Sequence, residues 1–69
     1  MLNNHIREAI KTAFEDRVYE GKAIISFYKF FIDSLTESIF DENKHLAKLF
    51  VDENLNELKE LFAEILNFN

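Results

Sequence analysis

The stretch Ala23-Ile24-Ile25-Ser26-Phe27-Tyr28-Lys29-Phe30-Phe31-Ile32-Asp33-Ser34-Leu35-Thr36-Glu37-Ser38-Ile39-Phe40 decides the fold. Projected on a helix, Ile24, Ile25, Phe27, Tyr28, Phe31, Ile32, Leu35 and Ile39 cover close to half the circumference, a wider arc than a surface helix carries. The spacing predicts a helix over about 22 to 40 that neighbours touch on more than one side, within the chain or across a subunit boundary. Phe30 and Phe40 fall outside this arc and are expected at the surface.

On the amino-terminal side, Leu2, Ile6, Ala9, Ile10, Ala13, Phe14 and Val18 recur every three or four residues, which predicts an amphipathic helix over about 3 to 19. Gly21 can take the left-handed conformation that closes such a helix. Arg17 projects among the apolar positions of this helix, in line with Ile6, Ile10 and Ala13. It is expected either to pair with an acid on a neighbouring helix or to snorkel towards water near the helix end.

On the carboxyl-terminal side, Asp41-Glu42-Asn43 offers an N-cap and an acidic first turn for a third helix. Its apolar set Leu46, Leu49 and Phe50 points nearly a quarter turn away from the following set, Leu55, Leu58, Phe62 and Ile65. A bend between Asp52 and Asn54 reconciles the two, and Asn54 with Glu57 fits a loose capping box. The segment therefore reads as helices over about 42–52 and 54–67, or as one continuous helix from 42 to 67. With no proline and one glycine, the chain lacks the turn residues that β-hairpins require. The expected fold is all-α, a single domain over 1–69 built as a small antiparallel bundle of three or four helices.

A chain of 69 residues has a core that leaves only a few kcal/mol of net stability. Without cysteine, disulfides cannot add to it. Eight phenylalanines are hard to bury in so short a chain. Completion by homodimerisation is the simplest expectation, with Tyr28, Phe30, Phe40 and Phe68 as the candidate oligomer interface.

The same composition argues against enzymatic and cofactor chemistry. There is no thiol nucleophile, His5 and His45 have no convincing acid–base partner, and one glycine cannot make a phosphate-cradling loop. Glu42-Asn43-Lys44-His45 matches the Glu-x-x-His spacing of di-iron carboxylate helices, yet both ligands fall on the polar side of their predicted helix. A metal-binding bundle assembled across subunits is therefore a remote alternative, and no cofactor or metal is expected.

Charge carries more information. Residues 41–69 hold seven acids and three bases, against six and five in residues 1–40, so most of the net charge of −5 lies in the last part. Glu53, Glu57, Glu60 and Glu64 form a ridge along one face of a continuous helix. The ridge reads as a solvated face or as a docking strip for a basic protein surface. Arg7, Lys11, Arg17 and Lys22 are each offset by nearby acids, so direct nucleic-acid binding is not expected. The start of the chain lacks a basic stretch followed by an apolar run, and Ala23 to Ile32 is too short to span a bilayer. The expectation is a cytoplasmic protein without membrane contact. It would act as a small acidic interaction or regulatory protein, or else as a self-assembling structural subunit.

Overall fold

The computed structural model describes residues 2–68, and side chains through residue 67. Four helices follow one another: α1 (Asn4–Tyr19), α2 (Phe27–Ser38), α3 (Lys44–Glu53) and α4 (Leu55–Phe68). No strand occurs among the described residues. Each of the first three helices starts on a side-chain cap. The Asn3 side chain accepts from the Ile6 N–H, Ser26 Oγ from the Lys29 N–H at 3.3 Å, and Asn43 Oδ1 from the Leu46 N–H.

α1 ends in a Schellman motif. The Gly21 N–H donates to the Val18 carbonyl and the Lys22 N–H to the Arg17 carbonyl, with Gly21 left-handed at φ 73°. This stop corrects the expected second helix, which begins at Phe27 and not near 22. Ile24 and Ile25 are β-branched and poor at starting a helix. Ser26 supplies the first good cap, so residues 22–26 form a connection outside any helix. Ile24 packs against the core, whereas Ile25, expected in the buried arc, is 98% exposed.

α2 stops at Ser38, two residues before the expected end, and a turn without glycine follows. The Ile39 and Phe40 N–H groups both donate to the Leu35 carbonyl, and the Glu42 N–H donates to the Thr36 carbonyl. Asp41 and Glu42 are consecutively left-handed, at φ 50° and 68°. The predicted N-terminal role of Asp41-Glu42 thus gives way to a turn, with Asn43 as the cap. Because Glu42 lies in that turn and His45 in the first turn of α3, the Glu-x-x-His pair does not share a helix face.

The bend between the last two helices falls at Asn54, so the segment is two helices. The Asn54 backbone N–H and its side-chain Nδ2 both donate to the Phe50 carbonyl, which closes α3. The capping-box partner is used elsewhere: Glu57 Oε2 accepts from the Leu2 N–H at 3.0 Å. The buried face of α3 carries Ala47 and Val51, while Leu46 and Leu49 are each 46% exposed.

α2 is the central element, with α1 and α3 packed against it. It buries Phe30, Phe31, Ile32, Ser34, Leu35 and Thr36, well over half its circumference. Phe62 of α4 is the hub of the aromatic core. The rings of Phe14, Phe27, Phe30 and Phe31 lie 5.4, 4.6, 5.8 and 6.1 Å from its own, mostly edge-to-face. Ile10, Leu35, Val51 and Leu58 complete the fully buried layer with Phe31.

Candidate interaction surfaces

The aromatic residues expected at an interface are placed differently from one another. Phe30 is buried at 3% exposure, its ring against Phe31, Phe62 and the Arg17 guanidinium, which corrects its assignment to the surface. It is buried because α2 is enclosed beyond the arc that its own periodicity marks. Phe40 is half-buried with its ring 5.6 Å from Phe50. Tyr28 is half-buried and donates its hydroxyl to Asp52 Oδ1 at 2.5 Å, tying the start of α2 to the end of α3. The Phe68 side chain lies outside the described residues.

Among the described residues, the exposed large apolar side chains are Val18, Tyr19, Ile25, Phe27, Leu46, Leu49 and Leu66. Three of them stand next to Phe14 or Phe62, along the same helix or by ring contact. Val18 stands one turn beyond Phe14, Leu66 stands one turn beyond Phe62, and Phe27 packs on Phe62 itself while remaining 47% exposed. The exposure of these side chains was hidden in the sequence because Val18 and Phe27 keep core periodicity. The only local signal against Phe27 is its place directly after a capping serine, in the first turn.

The four glutamates of the expected ridge are divided by the bend at Asn54. Glu53 closes α3 and is exposed, and Glu60 is exposed on α4. Glu57 is half-buried on the Leu2 N–H, and Glu64 faces Arg7 at 3.9 Å. Glu57 and Glu64 therefore face the α1 side of the molecule. Two further ion pairs are local: Lys22 with Glu20 and Lys29 with Asp33, each at 2.9 Å.

A groove of about 590 Å³ runs along the seam of α1 and α2. Small side chains from both helices, Ala9, Thr12, Ala13, Ser34 and Ser38, line it, and Glu8, Asp16, Glu20 and Glu37 bring four carboxylates against Arg17 and Lys22. His5 lies at one end of the same groove and is exposed, as is His45 on α3. Among the described residues no group of three or more histidine, aspartate or glutamate side chains could hold a metal ion. No helix of the described residues is long and apolar enough to cross a membrane.

One titration is perturbed by this geometry. The hydrogen bond from Tyr28 to Asp52 raises the Tyr28 phenol above its ordinary value, with smaller contributions from burial and from the Asp52 charge.

Compared with protein-family models, with curated proteins and with solved structures, the chain matches none.

Proposed function

We infer that this is a non-enzymatic protein–protein interaction protein that pairs with a second copy of itself through the apolar corner of Val18, Phe27 and Leu66. The observation that carries this reading is the half-exposure of Phe27 directly on the Phe62 hub. A second copy covering the corner would extend the aromatic core across the contact and add the burial that so short a chain needs. The three side chains are uncharged, so pairing takes no ion out of water at the contact itself. Two copies of net charge −5 repel elsewhere, which favours a contact at an uncharged place.

The test is absolute mass by light scattering across a concentration series, on the wild-type chain and on Phe27→Asp. A wild-type dimer at low micromolar concentration that becomes a monomer in the variant supports the reading. A wild-type monomer throughout the series sinks self-pairing.

A second reading gives the chain a basic protein partner, and the exposed acids Glu53 and Glu60 favour it, since neither makes an ion pair among the described residues. A complex held in this way dissociates faster as ionic strength rises.

A further inference from the structure

We propose that the groove between α1 and α2 is a docking site for a lysine- or arginine-rich peptide segment of a partner protein. The proposal rests on the reading of the chain as an interaction protein, but not on the self-pairing corner. Asp16 in the groove and Val18 at the corner are two residues apart on α1 and so point to nearly opposite sides of it.

Two independent features of the groove agree. The first is shape: Ala9, Thr12 and Ala13 on α1 face Ser34 and Ser38 on α2, and these short side chains leave a channel where two helices would otherwise close on each other. The second is charge. Lys22 is already held by Glu20 at 2.9 Å, and the Arg17 guanidinium is engaged with the Phe30 ring. Glu8, Asp16 and Glu37 make no ion pair among the described residues, and with four carboxylates against Arg17 and Lys22 the lining keeps a net negative charge.

A cationic segment laid along the seam brings ammonium or guanidinium groups to the rim carboxylates, whereas an anionic segment meets like charge there.

The experiment is a fluorescence-anisotropy titration with a labelled lysine–alanine peptide of about four helical turns, and with the matching glutamate–alanine peptide as control. The lysine peptide is expected to bind the wild-type chain, more weakly as salt is raised, and the glutamate peptide not at all. The double reversal Asp16→Lys with Glu37→Lys should weaken binding by about tenfold, while Asn56→Lys, exposed on α4 away from the groove, should have far less effect.

Amide chemical-shift changes in the wild-type chain, read in parallel, should concentrate at Ala9, Thr12 and Ser38, so a variant that fails to fold leaves the proposal testable. The proposal is overturned if the lysine peptide does not bind, if Asn56→Lys weakens binding as much as the groove reversals, or if the shift changes fall elsewhere. Because the corner is judged by mass and the groove by titration, the two readings fail separately.

Discussion

The guanidinium carbon of Arg17 stands 4.7 Å from the centroid of the Phe30 ring, so a cation from α1 covers an aromatic face from α2. An Arg17 N–H also donates to the Ala13 carbonyl at 3.4 Å, one turn back on its own helix. The two contacts explain why a charged residue occupies a position in line with Ile6 and Ile10. Its stem and plane lie on the core while its charge is met by the ring quadrupole.

A double-mutant cycle with Arg17→Met and Phe30→Leu, measured by urea unfolding, should give a coupling of about 0.5–1 kcal/mol. Additive effects would remove the energetic meaning of the contact. Phe30→Ala alone should cost about 3–5 kcal/mol, because the ring is buried at the centre of the aromatic cluster.

The left-handed positions should respond in opposite directions. Glu42 pays the backbone strain of φ 68° without being glycine, so Glu42→Gly should stabilise the fold by about 1 kcal/mol and raise Tm by about 4–8 °C. Gly21→Ala should lose about 1 kcal/mol. Nothing lies within 4 Å of the added Cβ, so that loss is backbone strain alone. Thermal melts of the two variants against wild type check both signs.

The Thr36 hydroxyl is buried without a hydrogen-bond partner, as is that of Ser34. Replacing each by an apolar side chain of similar or smaller size, Ser34→Ala and Thr36→Val, should therefore raise stability by about 1 kcal/mol in denaturant unfolding. A loss of similar size would mean that the hydroxyls are paired in solution.

Tyr28 should titrate above its ordinary value, in ultraviolet absorbance measured on a Tyr19→Phe background, and Asp52→Asn should bring it back down. The sign for stability follows from linkage. A phenol whose folded value is raised contributes stability that is complete below its unfolded value and is lost as pH rises through the folded one. The wild-type chain should therefore lose stability relative to Asp52→Asn as pH is raised through that alkaline window. A titration unchanged in Asp52→Asn would remove the Asp52 hydroxyl bond as the cause.

Much of the helical order was legible in residues close together along the chain. Gly21 marks the end of α1 because only a residue free of a Cβ enters the left-handed cap cheaply. The angular offset between Leu46, Leu49 and Phe50 and the later set Leu55, Leu58, Phe62 and Ile65 marks the bend that Asn54 makes. The start of α2 was misread for an equally local reason: apolar periodicity runs unbroken from Ile24 into the helix, and it outweighed the capping serine at 26.

The sequence by itself determined an all-helical chain with its first helix and its central second helix, and offered the break near Asn54 as one of two readings, because caps, periodicity and glycine act over a few residues. Tertiary structure decided which apolar side chains are core and which are surface. Periodicity orients a face but does not say how many neighbours will cover it, so Phe30 went inside while Val18, Phe27, Leu46 and Leu49 stayed partly in water. It also decided the fate of the charges. Glu57 and Glu64 share spacing with Glu53 and Glu60, but Leu2 and Arg7, more than fifty residues away in the chain, meet only the first two.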